Sequence, residues 1–254
     1  MMNKDVVRQW LVVAAVLVTI IVNALANILP LNGISTGEIS DKFQVYFVPA
    51  GYVFSIWGLI YLGLVAFAIY QALPAQRENP RLRAIGWPFL VSCAANIAWL
   101  FLWHYQQFLW TILAMVILLA SLLVIYLLMM RGGDAVPPAE RWLVRLPFSI
   151  YLGWISVATI ANASDVLYYI KWNGWGIAPA VWAVIMMVIA ACLAWAMAVL
   201  RGDWAYGLVI IWALVGIAVK QASTPLVANT ALILAGACAA VVVLGPILRG
   251  RRRA

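Results

Sequence analysis

The sequence predicts an all-α fold, a polytopic membrane helix bundle of eight transmembrane helices. Three observations predict it. Of 254 residues, 67% are hydrophobic and only 9% charged, where soluble domains carry roughly a quarter charged residues. The apolar residues fall in long unbroken runs. The basic residues collect in the connections on alternate sides of those runs. A soluble core of this length has no room for so much apolar surface. In lipid, each spanning backbone must satisfy its own hydrogen bonds, so helices or a closed barrel remain. Barrel strands are short and alternate polar with apolar residues, so the long runs select helices.

The runs in order are Trp10–Ile28, Tyr52–Leu73, Ile85–Trp103, Phe108–Met130, Leu146–Ala163, Ala178–Leu200, Trp204–Val219 and Leu226–Leu248. Most reach the ~20 residues needed to cross the hydrocarbon core. The seventh is the shortest, and extends through Lys220 if that side chain snorkels. The first follows Lys4 and Arg8, and its Ala24-Leu25-Ala26 resembles a signal cleavage site. It reaches spanning length, so it is expected to be retained as a helix.

The longest connection, Leu31–Gly51, contains Gly33, Gly37, Pro49 and Gly51, with Glu38 and Asp41 among its charges. A loop of that length is usually a functional cover or merely mobile. Pro74–Ala84 and Arg131–Arg141 read as solvated turns. Lys171–Gly176 (KWNGWG) reads as an aromatic turn at the outer interface. It divides a five-helix domain, residues 1–176, from a three-helix extension with a basic C-terminal tail, residues 177–254. Ala190, Ala191, Ala194, Gly236 and Ala239 would let the later helices approach closely.

Orientation follows from the cations. With the N-terminus inside, thirteen of the 16 basic residues are inside: Lys4, Arg8, Arg77, Arg81, Arg83, Arg131, Arg141, Arg145, Arg201, Arg249, Arg251, Arg252 and Arg253. Only Lys42, Lys171 and Lys220 are outside. The positive-inside rule therefore predicts a multi-pass cell-membrane protein with both termini cytoplasmic. The net charge of +8 accordingly speaks of orientation and anionic headgroups, not of nucleic acid. Cys93, Cys192 and Cys238 lie in apolar runs and act as small hydrophobes. No metal-ligand spacing is present.

Polar and aromatic residues form stripes. In the fifth span Tyr151, Trp154, Ala158, Asn162 and Asp165 share a helical face. Ser92, Asn96, Trp99 and Trp103 do so in the third, and Phe54, Trp57 and Tyr61 in the second. Asn23 and Asn27 are one turn apart in the first. A rise of ~1.5 Å per residue puts these groups at similar depth in the outer half, beneath the long outer loop. Rings with a few amides make a ligand pocket. Single asparagines also serve plain helix packing, and Trp10, Trp110, Trp142, Trp172, Trp175 and Trp204 suit the headgroup belt. Asp165, near the interface, is open to simple hydration. His104, the only histidine, is expected to be solvated rather than a haem ligand.

These residues resemble the TspO/translocator family, the tryptophan-rich sensory proteins. Tyr151-Leu-Gly-Trp154-Ile-Ser156-Val-Ala158-Thr159-Ile-Ala-Asn162 follows the family's Y-L-x-W-x-S-x-A-T-x-x-N pattern without a gap. Pro49-Ala-Gly51-Tyr52-Val-Phe54-Ser-Ile-Trp57-Gly-Leu-Ile-Tyr61 resembles its P-x-W-x-F…W-x-x-L-Y, with Tyr52 in place of a tryptophan and one residue fewer before Trp57. Asn96-Ile-Ala-Trp99 resembles its N-x-x-W. The resemblance covers about residues 10–172; the family has five spans, to which this chain adds three.

The resemblance implies a five-helix bundle with a pocket below the first loop that takes porphyrins, sterol-like and other flat hydrophobic molecules. Indole faces suit such rings, and amides orient polar edges. The candidate ligand-binding residues are Tyr52, Phe54, Trp57, Tyr61, Asn96, Trp99, Trp103, Tyr151, Trp154 and Asn162. No catalytic or metal residue and no resident cofactor are expected, with porphyrin or haem entering as ligand. The partners expected are the bilayer and a hydrophobic small molecule, with a homodimer as a compatible assembly. The leading function is a sensor or carrier. The alternatives are an oxidative porphyrin-degrading enzyme and an eight-helix solute transporter. No nucleophile–base pair or phosphate loop supports the first of these, and few intramembrane charges or repeats support the second.

Overall fold

The computed structural model describes residues 3–29, 31–131 and 136–253, with side chains of the last helix as far as Gly245. The side chains of Arg249, Arg251, Arg252 and Arg253 in the basic tail lie outside the described residues. Among the described residues ten α-helices follow one another: α1 (Lys4–Ile28), α2 (Thr36–Ser40), α3 (Ile56–Ala72), α4 (Pro80–His104), α5 (Phe108–Met130), α6 (Pro138–Glu140), α7 (Leu146–Tyr169), α8 (Pro179–Ala196), α9 (Trp204–Lys220) and α10 (Pro225–Arg253). The described residues contain no strand. Polar caps start several helices. Asn3 accepts from the Asp5 N–H, Asn79 from those of Arg81 and Leu82, and Asp203 from that of Tyr206, supplying partners to N–H groups that have none within the helix.

Among the described residues, seven helical stretches have the length and hydropathy to cross a membrane. The remaining apolar helix, α9, has 17 residues, or ~26 Å at 1.5 Å per residue, short of the ~30 Å hydrocarbon core. It is the seventh and shortest of the runs read from the sequence. Large apolar side chains point outward along these helices. Leu62 is 70% exposed and Ile233 70%, an arrangement suited to lipid and not to water. The protein is a polytopic α-helical membrane protein.

The packing forms two compact units. The first comprises Met1–Lys42 and Trp57–Leu152. Here α4 packs on α1 and α5. Phe67, Phe89 and Phe148, from α3, α4 and α7, meet edge to face with centroids 4.9–5.7 Å apart, the arrangement that ring quadrupoles favour. Gly63 leaves room for Pro147, which a Cβ would meet at 2.9 Å. At one end of this unit Arg81 pairs with the buried Glu140 at 2.8 Å, and Arg8 donates to the Arg77 carbonyl at 2.9 Å.

The second unit comprises Phe43–Ile56 and Gly153–Ala254. Here α10 packs on α8 and α9 through small residues. Ala190, Ala191 and Ala194 are buried, whereas a Cβ added at Gly236 would meet open space. Gly153 brings α7 close to α9, where a Cβ would lie 3.1 Å from Val209 Cβ. The units part within α7, between Leu152 and Gly153. This division by packing is a separate matter from the functional division drawn at Gly176.

Candidate functional site

In the first unit Asn96 is a hub. Asn23 Nδ2 of α1 donates to its Oδ1 at 2.8 Å, and its own Nδ2 donates to Tyr151 Oη of α7 at 3.3 Å. Asn23 also donates to the Thr19 carbonyl at 2.9 Å. Both asparagines are buried. In a medium without water, such side-chain amides find partners on neighbouring helices. Asn27 does not join them. It is exposed and donates back to the Asn23 carbonyl at 2.8 Å, so the first span contributes one amide to the interior, not two.

Two stacked aromatic pairs belong to the same unit. Trp57 and Tyr61, one turn apart on α3, stack at 5.5 Å, and Trp57 meets Tyr151 at 5.9 Å. Trp99 and Trp103, one turn apart on α4, stack at 5.4 Å with planes 17° apart. The i, i+4 spacing produces both stacks. Trp103 donates through Nε1 to the Thr36 carbonyl at 3.2 Å. The Trp99 Nε1 atom is buried and has no hydrogen-bond partner, an uncommon state for an indole donor inside a protein.

His104 is fully buried, not solvated as the sequence suggested. Its Nδ1 lies 3.1 Å from the Leu31 carbonyl and its Nε2 2.9 Å from Thr36 Oγ1. A carbonyl only accepts, so Nδ1 carries a proton, and in the neutral ring Nε2 accepts from the threonine hydroxyl. Asn32 donates to the His104 carbonyl at 3.2 Å. The first part of the long connection is thus strapped to the end of α4, with Ile39 buried beneath it. Within the strap, Ser35 and Glu38 form a reciprocal capping box at the start of α2. The Ser35 N–H and hydroxyl hold the Glu38 carboxyl below its ordinary range.

In the second unit Phe54 meets Trp154 edge to face at 5.5 Å. Phe54 is not on the helix that carries Trp57 and Tyr61. It belongs to a 3₁₀ turn, Gly51–Ser55, that precedes α3, so the single helical face expected for the second span begins only at Ile56. Tyr52 is 47% exposed and packs on Trp212 at 5.4 Å. This turn is seated on α9. Trp212 Nε1 donates to the Val53 carbonyl at 3.0 Å, and the Ala50 N–H to the Gly216 carbonyl at 3.0 Å. Gly216 is glycine by necessity, because a Cβ there would collide with Val53 and reach Pro49 at 3.0 Å. Gln221 donates to the Val45 carbonyl at 3.3 Å.

Along α7, Trp154, Asn162 and Asp165 are all buried, as their common face predicts. Asp165 is 3% exposed, so the hydrated reading fails for it. Trp172 and Trp175 of the Lys171–Gly176 turn meet Trp182 of α8, with centroids 5.2–5.9 Å apart. Trp175 is 76% exposed, as a headgroup-belt residue would be. Among the described residues no group of three or more His, Cys, Asp or Glu could hold a metal.

The ten candidate residues therefore fall in two sets. Trp57, Tyr61, Asn96, Trp99, Trp103 and Tyr151 belong to the first unit; Tyr52, Phe54, Trp154 and Asn162 belong to the second. The sequence reading took His104 as solvated and missed the contacts of Thr36, Trp212 and Gly216.

No curated protein and no solved structure matches the chain. The family model for TSPO-like proteins matches residues 9–244. That span runs beyond Trp172 and takes in the last three apolar helices as well as the motifs in α3, α4 and α7. This chain belongs to the family of TSPO-like proteins.

Proposed function

We propose that the protein binds flat hydrophobic molecules of the tetrapyrrole kind among its helices and acts as a sensor or carrier for them. Family membership supports this, and one observation carries it. Trp99, one turn from Asn96 on α4, stacks on Trp103, and the Trp99 N–H lacks a partner. A ring with acceptor atoms at its edge would supply both the apolar contact and the missing acceptor. In this reading Trp57, Tyr61, Asn96, Trp99, Trp103 and Tyr151 contact the ligand. The protein lies in the cell membrane with both termini cytoplasmic, in keeping with the partition of basic residues.

Titration of the purified protein with protoporphyrin tests the proposal. Tryptophan emission should fall saturably, and Trp99→Phe, which keeps a ring but removes the donor, should weaken binding about tenfold, the ~1.4 kcal/mol typical of one hydrogen bond. Linear, unsaturable quenching, equal in wild type and variant, rules the reading out.

A further inference from the structure

Asp165 lies two residues beyond the fifth apolar run, Leu146–Ala163, and still within α7. It sits four residues before the end of α7, on the face that carries Trp154 and, one turn earlier, Asn162. It is 3% exposed, and its Oδ1 has no hydrogen-bond partner. Lys220 lies in the same unit, at the exposed C-terminal end of α9. A buried carboxylate oxygen without a donor costs free energy. Intramembrane carboxylates are rare for that reason, and they tend to mark sites where something binds. The same helix face thus runs from an edge-to-face ring pair, Phe54 and Trp154 at 5.5 Å, through an amide, to an unsatisfied acceptor.

We propose that Asp165 is the polar terminus of a ligand subsite on α7, and that it accepts from an N–H, O–H or ammonium group at one edge of the bound molecule. The apolar body lies along Trp154 and Phe54, and Asn162 bridges between the two. The subsite therefore selects amphiphiles whose polar edge donates, and disfavours those whose edge is a carboxylate, which would face Asp165 charge to charge. This rests on the reading that the protein binds flat hydrophobic ligands, and narrows the class to donor-edged ones.

Three probes on one macrocycle separate the outcomes: protoporphyrin, its dimethyl ester, and its bis-amide ending in primary ammonium groups. Each is titrated into the full-length protein in lipid nanodiscs with tryptophan emission as readout. The wild type should bind the ammonium derivative at least tenfold more tightly than the free acid, with the ester between. Asp165→Asn should flatten that order, while Asp165→Glu should keep it, which distinguishes a charge effect from damage to the fold. An equal order in wild type and Asp165→Asn overturns the subsite. A reversed order in the wild type, with the free acid tightest, overturns it too and points to Lys220. Failure of all three probes to bind the wild type removes the ring-binding reading itself, and this subsite with it.

Discussion

Asn23 of α1 and Asn96 of α4 are joined by a 2.8 Å hydrogen bond between buried side-chain amides, and Asn96 passes the connection on to Tyr151 of α7. Three helices distant in sequence are fixed in rotation by one residue. Asn96→Leu fills similar volume but removes a partner from both Asn23 and Tyr151. It should destabilise the protein by about 1–2 kcal/mol, within the range of intramembrane hydrogen bonds. Thermal unfolding in detergent measures this. Asn23→Leu combined with Asn96→Leu should cost less than the sum of the single changes, because one bond serves both.

Gly216 predicts a steric result. Gly216→Ala places a methyl against Val53 and Pro49, so overpacking should cost about 1–3 kcal/mol. Val53→Ala should recover part of that loss. A Gly216→Ala protein as stable as the wild type would mean that the turn is not seated on α9 as described.

Trp212 separates ring packing from hydrogen bonding. Trp212→Phe retains a ring for Tyr52 but leaves the Val53 carbonyl without its donor. A loss of about 1 kcal/mol in stability is expected, together with weaker protoporphyrin quenching, because Phe54 loses its fixed position against Trp154. Trp212→Leu should be worse on both counts.

Thr36→Val removes the hydroxyl that donates to His104 Nε2 and leaves the Leu31 contact intact. The strap over α4 should then open more readily, seen as faster limited proteolysis between Leu31 and Lys42 with little change in the melting of the helices.

The capping box gives a pH dependence. The folded pKa of Glu38 is lowered from 4.5 by Ser35. Its contribution is therefore present above the unfolded value and is lost as pH falls through the folded value. The Ser35 amide resonance should titrate with a midpoint below 4.5 and stop titrating in Glu38→Gln.

Much of this was legible in the sequence because membrane helices write their burial as stripes. The faces carrying Asn96 and Trp103, or Tyr151 and Asn162, could be drawn from 3.6-residue periodicity alone. The seat on α9 could not. Its acceptors are the backbone carbonyls of Val45, Val53 and Gly216, and backbone groups leave no mark in composition. His104 misled for the same reason, since a lone histidine at a helix end reads as solvated until the Leu31 carbonyl and Thr36 hydroxyl are seen around it. The periodic reading also ran one helical face through Phe54, where the approach from Pro49 and Gly51 builds a tighter turn instead.

The stacking of Trp99 on Trp103 has an optical consequence. Indoles 5.4 Å apart exchange excitation far faster than they emit, so the two behave as a single emitter. A chromophore bound beside Trp99 would darken its neighbour as well. Among 14 tryptophans, one bound molecule should then remove more light than one indole's share, with emission anisotropy rising as the pair falls silent.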